Sequence, residues 1–361
     1  MENQVNSRLI PTPPIRAAVV GVGSIGRHHA RVYNQLDAVE LVAVSDLDAA
    51  RRAMATRRYK IPAYADYHEM FDREHPAVLS IAVPTTYHRE VALAAMDRGI
   101  HVLVEKPLCL TVEDSREVIS AAEAAGVVLT VGHIERFNGA ITELKPRILQ
   151  GDIGRLFQLH GRRLSPFPGY IRDVGVVMDL ATHELDMMQH LVGSPVERIY
   201  AEIARNVHEQ HEDMLTGIIR FRNGVISVLD INWLTPAKIR ELRVTGERGM
   251  FLVDYITQDL FFYENRIAPS DWDAMALFRG VEEGNMLKIH VSKVEPLEAE
   301  LRAFVEAVSS GTSPLVTGLD GLRAVALARL LLLSAQEQAT IDVSREAARR
   351  GWNELLEGQS A

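Results

Sequence analysis

The stretch AVVGVGSIGRHHARVY, residues 18–33, constrains the fold most. An apolar strand runs into Gly21, Gly23 and Gly26, and a helical pattern follows from about Ile25 to Gln35. A glycine at the first position permits a tight turn, and at the second it lets main chain approach a pyrophosphate. At the third it lets the helix lie close on the sheet, with the free amides at its start facing an anion. Three spaced glycines alone are a weak signal. Here strand, turn and helix follow in the register that a dinucleotide site needs. Asp46 comes 20 residues after Gly26, at the end of a second apolar strand, VELVAVSD. An acid there accepts hydrogen bonds from a ribose diol and repels a 2′-phosphate, which favours NAD over NADP. Arg51 and Arg52 pull the other way.

The alternation continues. PAVLSIAVP, GIHVLVEKP and VVLTVG read as further strands, separated by the helical HREVALAAMDRG and TVEDSREVISAAEAAG. Fully apolar strands alternating with helices predict a parallel sheet covered on both faces, the doubly wound α/β arrangement. Past Gly132 the pattern changes. A helix near 138–149, a polar loop RRLSPFPGYIRD and a helix from Val174 to Leu191 are expected. ERIYAEIAR, MLTGIIRFRNG, VISVLDINWL, IRELRVTG, GMFLVDY and DLFFYEN then follow with no helix between them. They predict an open, mainly antiparallel sheet, with a hairpin at RNG. NRIAPSDWDAMALFRGVEEGN has no period and reads as a loop, and two late helices close the chain. The expected organisation is a flexible lead-in over 1–14 and an NAD-binding domain over 15–133. A substrate-binding and oligomerisation domain over 134–340 and a tail over 341–361 follow.

Glu105 and Lys106 end an otherwise apolar strand. In an open parallel sheet ligands bind beyond the carboxyl ends of the strands, and Pro84 and Thr85 end the neighbouring strand. A lysine in an apolar cleft beside an oxidised nicotinamide gives up its proton readily and can exchange one with a sugar hydroxyl. Glu105 either anchors that lysine or holds the nicotinamide side. An isolated Glu-Lys-Pro reads better as a solvated surface turn. Asp179 and His183, four apart on a predicted helix, project from one face. That face would bring a carboxylate and an imidazole that titrates near neutrality to a sugar hydroxyl. Spacing alone fits a solvated polar pair better, since such pairs are common. Gly175 leaves the helix start open to a ligand, and Glu184 and Asp186 have weaker claims.

Composition removes other classes. With 39 Lys plus Arg against 48 Asp plus Glu, the net charge of −9 leaves no basic excess for nucleic acid or an anionic membrane. Cys109 is the only cysteine, so neither an internal disulfide nor a Cys-x-x-Cys site is possible. The reducing cytoplasm is the expected compartment. The start, MENQVNSRLIPTPP, lacks a signal-peptide pattern, and GLRAVALARLLLLSAQ is too short and too charged to span a bilayer. His28, His29, His208 and His211 have no third ligand at metal spacing and read as polar residues, so no metal is expected. No phosphate-binding GxxxxGK[ST] or hydrolase GxSxG occurs.

In order, GVGSIGRHH, VPTTYH, EKPL and GVVMDLATHELD resemble the Gfo/Idh/MocA oxidoreductase family, from about Ile15 to residue 340. The resemblance implies a Rossmann domain followed by an α/β domain with an open antiparallel sheet. It implies that Lys106, Asp179 and His183 are catalytic. The dinucleotide contacts would come from Gly21, Gly23, Ser24, Ile25, Gly26, Asp46, Pro84, Thr85, His88, Glu105 and Lys106. GHIERFN, RRLSPFPGYIRDVGVVMDLATHELD and NWLTPAKIRELRVTGERGMFLVDYITQDL are most similar to its nucleotide-sugar 3-dehydrogenases. Those act on UDP-N-acetylglucosamine in 2,3-diamino sugar synthesis for lipid A.

That likeness implies a nucleotide-sugar substrate and a 3-keto product passed to an aminotransferase. Substrate contacts are expected from Glu135, Arg136, Asn138, Arg163, Tyr170, Arg172, Lys238, Asp179 and His183, with Arg162 and Arg240 in the same segments. Arginine suits a diphosphate, although each of these arginines also reads as an ordinary sheet-surface residue. Asn138-Gly139 stands where relatives are expected to carry Asn-Pro. An exposed apolar sheet face predicts a homodimer or homotetramer through the second domain. The alternatives are another sugar or inositol dehydrogenase of the family, or a non-catalytic dinucleotide-binding sensor. Retention of Lys106, Asp179 and His183 together favours an enzyme.

Overall fold

The computed structural model describes residues 13–168, 174–265 and 283–355. Tyr170 and Arg172, most of the unperiodic stretch and most of the lead-in lie outside the described residues.

The first sheet contains β1 (Ile15–Val20), β2 (Val39–Ser45), β3 (Ala63–Tyr64), β4 (Val78–Ile81), β5 (His101–Glu105) and β6 (Leu129–Gly132). Their order is β3-β2-β1-β4-β5-β6, with every neighbouring pair parallel. Side chains alternate between the two faces of a strand. Ala18, Val20, Leu79, Ile81, Val102 and Val104 accordingly pack into one core, and Ala17, Val19, Val78 and Leu103 into another. Burial on both sides is why these strands read as unbroken apolar runs. Helices α1 (Gly26–Tyr33), α2 (Ala49–Tyr59), α3 (Tyr67–Glu74), α4 (His88–Met96) and α5 (Val112–Ala125) connect the strands. The order reverses between β1 and β4, which opens a crevice at the carboxyl edge.

After α6 (Gly139–Gln150) the chain builds a second sheet. It comprises β7 (Leu156–Leu164), β8 (Val196–Ala204), β9 (Met214–Phe221), β10 (Ile226–Asn232), β11 (Ile239–Gly246), β12 (Gly249–Asp254), β13 (Asp259–Asn265), β14 (Glu283–Ile289) and β15 (Ile341–Asp342). The order is β14-β13-β12-β11-β7-β10-β9-β8-β15, antiparallel except for the parallel pair β7 and β10. Helices α7 (Thr182–Val192) and α9 (Gly318–Glu337) cover one face, where Leu185, Leu215, Ile219, Leu229, Val325 and Leu331 share a core. The other face is open, with Ile218 49% and Met286 58% exposed.

Four expectations need correction. First, β7 lies near the middle of the second sheet, although its sequence showed no strand period. Arg163 occupies an inward position there, where it meets Glu184, and a polar inward residue hides the alternation. Second, residues 283–289, partly assigned to the loop, form β14. Third, the expected tail adds β15 to the sheet edge and continues as α10 (Val343–Arg350), whose Val343 and Ala347 join the core. Fourth, the helix expected from Val174 to Leu191 begins as a π-type turn over Val177–Ala181 before α7. In addition, α8 (Pro296–Ser310) returns to the first sheet, where Leu297, Leu301 and Phe304 pack with Ala17 and Val19.

Candidate active site

The glycine turn has no room for side chains at two of its three positions. Gly21 has φ +84°, and a Cβ there would lie 2.6 Å from the Ala82 carbonyl oxygen. A Cβ on Gly26 would lie 1.7 Å from the Gly21 carbonyl oxygen. At Gly23 the nearest atom is the movable Arg51 Nη1, at 3.3 Å, so the main chain there stays approachable. Ser24 and Ile25 are exposed beside it. This cradle fits a dinucleotide diphosphate. Asp46 ties the turn to β2: Oδ2 accepts from Val22 N and Oδ1 from Asp48 N, both at 2.8 Å. Each oxygen keeps a second lone pair for a ribose hydroxyl. Arg52 Nη1 donates to the Asp46 and Leu47 carbonyls instead of facing a phosphate.

Beneath the crevice lies a contact the sequence reading missed. His29 Nε2 is 2.9 Å from Glu105 Oε1, and its Nδ1 is 3.0 Å from Ser80 Oγ, which in turn meets Tyr33 OH at 2.9 Å. Burial alone would raise the Glu105 carboxyl. The His29 hydrogen bond and charge outweigh that, with Lys106 and His88 adding to them, and hold it below its ordinary value. Its other oxygen accepts the Lys106 main-chain N–H at 3.2 Å. Glu105 therefore anchors the lysine's backbone rather than its ammonium. The available signal was the four-residue spacing of His29 and Tyr33, which puts both on one face of α1.

His88 was expected to contact the cofactor. Its buried ring lies 2.9 Å from the Pro107 carbonyl through Nδ1 and 3.0 Å from the Val83 carbonyl through Nε2. Burial pushes its pKa down despite those carbonyls, so the ring is neutral and donates to one of them at a time. It braces the cis Lys106–Pro107 turn. Pro84 is exposed and Thr85 half-buried in the short 3₁₀ turn beside it.

Lys106 Nζ donates to Asp179 Oδ1 at 2.7 Å and to the Asp179 carbonyl at 2.8 Å. Only 14% of the lysine side chain and 17% of the aspartate side chain are exposed, so the ammonium does not stand in bulk water. The π-type turn helps here, because a widened turn loosens the regular carbonyl ladder and lets a side chain reach a main-chain oxygen. His183 follows that turn, with its Nδ1 buried and unpartnered. Burial pushes its pKa well below the ordinary value, and the charges of Arg163, Lys106, His133 and Arg240 push the same way. Titration near neutrality is thus corrected to a neutral imidazole. His133, next to this group, has both ring nitrogens buried without a partner. Gly175 does not open a ligand path: a Cβ there would fall 2.1 Å from Glu212 Oε1.

Several of the residues expected at the substrate are held by partners within the fold. Arg136 Nε donates to Asp186 at 2.9 Å, and its Nη2 lies 3.1 Å from Asp320. Arg163 donates to Glu184 at 2.7 Å and to Glu135 at 2.8 Å. Asn138 caps α6 through Ala140 N and donates to the Tyr255 carbonyl at 2.9 Å. Gly139 N donates to Gln258 Oε1 at 3.1 Å, a bond that proline could not make. Arg162 reaches Asp230 at 3.4 Å, and Lys238 is exposed. Arg240 Nη1 and Tyr255 OH are buried without partners. His208 Nδ1 accepts from the Gln210 and His211 amides. Among the described residues no cluster of three or more His, Cys, Asp or Glu could hold a metal, and no helix is long and apolar enough to cross a membrane.

Residues 15–133 match the oxidoreductase family with an NAD-binding Rossmann fold, and residues 141–252 match the GFO/IDH/MocA C-terminal domain. A UDP-N-acetylglucosamine 3-dehydrogenase from Acidithiobacillus ferrooxidans is 29% identical over 87% of this chain and 95% of its own. The solved structure of that enzyme superposes with a TM-score of 0.80, at 27% identity, over 90% of this chain and 99% of its own. A myo-inositol 2-dehydrogenase from Thermotoga maritima is 27% identical over 91% of this chain and 98% of its own. The glycine cradle, the two sheets and these matches agree: the chain belongs to the Gfo/Idh/MocA family of NAD-binding oxidoreductases.

Proposed function

We propose that this dehydrogenase oxidises the C3 hydroxyl of a nucleotide sugar, taking UDP-N-acetylglucosamine to its 3-keto form. The observation that carries the reading is the Lys106–Asp179 ion pair beside the unpartnered Nδ1 of His183, at the carboxyl edge of the dinucleotide-binding sheet. An ammonium has three N–H groups, and Asp179 takes two of them. The third is available to hold the substrate oxygen. His183, neutral because burial disfavours its charge, begins the reaction as a proton acceptor at Nδ1. Bound NAD supplies the hydride acceptor, held by Gly21 to Gly26 with its ribose on Asp46. Likeness to the UDP-N-acetylglucosamine 3-dehydrogenase over nearly the whole chain supports the nucleotide sugar. The similar inositol dehydrogenase keeps a cyclic polyol as the second reading.

The test mixes purified protein and NAD with UDP-N-acetylglucosamine, free N-acetylglucosamine or myo-inositol, and follows the absorbance of reduced nicotinamide. Turnover on the UDP-sugar alone is expected, and turnover on inositol instead would replace the reading. Lys106→Met should abolish turnover while NAD still binds; loss of NAD binding would make the lysine structural. The same reading places the protein in the cytoplasm, before an aminotransferase in 2,3-diamino sugar synthesis for lipid A. A second copy would cover the open face around Ile218 and Met286.

A further inference from the structure

We infer that Arg240, with the Tyr255 hydroxyl, receives the anionic diphosphate of the substrate. This rests on the nucleotide-sugar reading and adds the residue that selects for it. The neighbouring cations are each answered by carboxylates of the fold. Lys106 is paired with Asp179. Arg163 is held by Glu135 and Glu184, and Arg136 by Asp186 and Asp320. Arg240 sits directly across from Arg163, in the β11–β7 pairing, so two guanidinium groups share one end of the sheet. Glu135 and Glu184 bond the first of them. Arg240 makes no ion pair among the described residues, and its Nη1 is buried with no hydrogen-bond acceptor.

Leaving a charged donor dry and unanswered is costly, and native proteins keep such groups where a ligand completes them. Burial, with the neighbouring Arg163 charge second, pulls the Arg240 pKa down to about 10. It is still a cation at neutral pH. A neutral hydroxyl would satisfy its N–H but not its charge, whereas an anion satisfies both. Tyr255 lies beside it, since Tyr255 N donates to the Arg240 carbonyl at 3.0 Å. Its phenol is also buried without a partner, and burial pushes its pKa well above the ordinary value, so it remains a donor. Glu184 and Glu135, whose charges reach both groups, are bonded to Arg163, and neither Arg240 Nη1 nor the Tyr255 hydroxyl has an acceptor among the described residues, which leaves an oxyanion-seeking pair. The pair is also placed near the reacting end, because Arg240 is close enough for its charge to act on His183 and for the Asp179 charge to act on it. In a nucleotide sugar the diphosphate leaves the ring two carbons from C3. Its charge must therefore fall within one ring's breadth of the oxidised hydroxyl.

The experiment measures binding of UDP and of uridine to the protein–NADH complex by calorimetry, together with KM for UDP-N-acetylglucosamine. The proteins compared are wild type, Arg240→Gln and Arg240→Lys. Arg240→Gln should weaken UDP binding and raise KM by about tenfold or more, equivalent to about 1.4 kcal/mol. Arg240→Lys should recover part of the loss, and uridine, which lacks phosphate, should bind all three proteins alike. The melting temperature should hold or rise, because an unanswered buried charge has been removed. UDP affinity and KM within about twofold of wild type would overturn the inference, at under about 0.5 kcal/mol. So would a joint loss of melting temperature and NADH binding, which marks a structural role. UDP binding needs no oxidation. If UDP binds through Arg240 but the UDP-sugar is not oxidised, the reaction reading fails and the anion site stands. If the UDP-sugar is oxidised with unaltered KM in Arg240→Gln, the anion site alone fails.

Discussion

Replacing Arg136 with methionine separates a clamp from a substrate contact. The arginine side chain is 3% exposed, and its partners Asp186 and Asp320 are 2% and 9% exposed. These residues tie the turn before α6 to α7 and α9, and Nη1 also donates to the Leu315 carbonyl at 3.2 Å. Removing one partner from a buried ion pair costs about 3–5 kcal/mol, because the other is left charged and dry. Here two carboxylates lose one shared cation and repel one another, with Asp320 keeping its Thr317 hydrogen bonds, so the upper half of that range is expected. At about 2–4 °C per kcal/mol for a domain of ordinary size, Arg136→Met should melt about 8–20 °C below wild type. Burial alone would raise the Asp320 carboxyl, but the Arg136 charge and the Thr317 hydrogen bonds hold it below its ordinary value. A depressed carboxylate stabilises the fold above its unfolded pKa, and the contribution disappears as pH falls through the lowered folded one. The deficit of Arg136→Met should therefore shrink in acid. Adding Asp186→Leu and Asp320→Asn should restore much of the loss at neutral pH, since an apolar replacement strands no charge. Thermal melts of the three proteins, with KM for the UDP-sugar, make the check. A single variant that melts within about 2 °C of wild type but raises KM would show the arginine facing substrate after all.

Two further outcomes concern protons. Burial pushes His88, His133 and His183 down and His190 down to about 4. A histidine depressed in the fold binds protons first in the unfolded chain, so stability is full above about pH 6.5 and falls toward pH 4, by up to about 1.4 kcal/mol per pH unit per histidine. Urea midpoints across that window should drop steeply, and a flat profile would mean these rings are hydrated. Glu300 is the opposite case: it is 1% exposed, both of its oxygens lack partners, and burial with the charges of Glu105 and Glu135 raises its pKa well above the ordinary value. A raised carboxyl costs more as pH rises, so Glu300→Gln should match wild type in mild acid and exceed its melting temperature in alkali. Equal melts at both ends would place an unseen partner at that carboxyl.

What the sequence made legible was local. The turn from Gly21 to Gly26 spans only six residues, and the main chain has no space for other residues at two of the positions. The parallel sheet was readable because both faces of each strand are buried, which leaves an unbroken apolar run. Glu105 and Lys106 stood out because charge is rare at the end of such a run. The π-type turn was not legible, since its extra width leaves the spacing of Asp179 and His183 unchanged. Nor was β7, whose inward Arg163 breaks the apolar period that would have marked it.

The pairing of the arginines was hidden for a different reason. A cation is free for a ligand only when the fold has not already supplied a carboxylate, and the carboxylates here come from far along the chain. Arg163 meets Glu184 across 21 residues, Arg136 meets Asp186 across 50, and Lys106 meets Asp179 across 73. Residue type and spacing carry no trace of such pairings, so arginines that looked alike in sequence have opposite fates. Two are neutralised inside the fold, while Arg240, one strand away from Arg163, is not. The difference is set by α7. Glu184 rises from it toward Gly161, where a Cβ would come within 2.7 Å of its carboxylate. That glycine lets the helix approach β7 closely enough to pair with Arg163, and β11, one strand further out, keeps its guanidinium unmatched. Replacing Gly161 with alanine should displace Glu184, weaken its grip on Arg163 and offer its carboxylate to Arg240. UDP affinity would then fall without any change to Arg240 itself, a coupling that a merely solvated Arg240 could not produce.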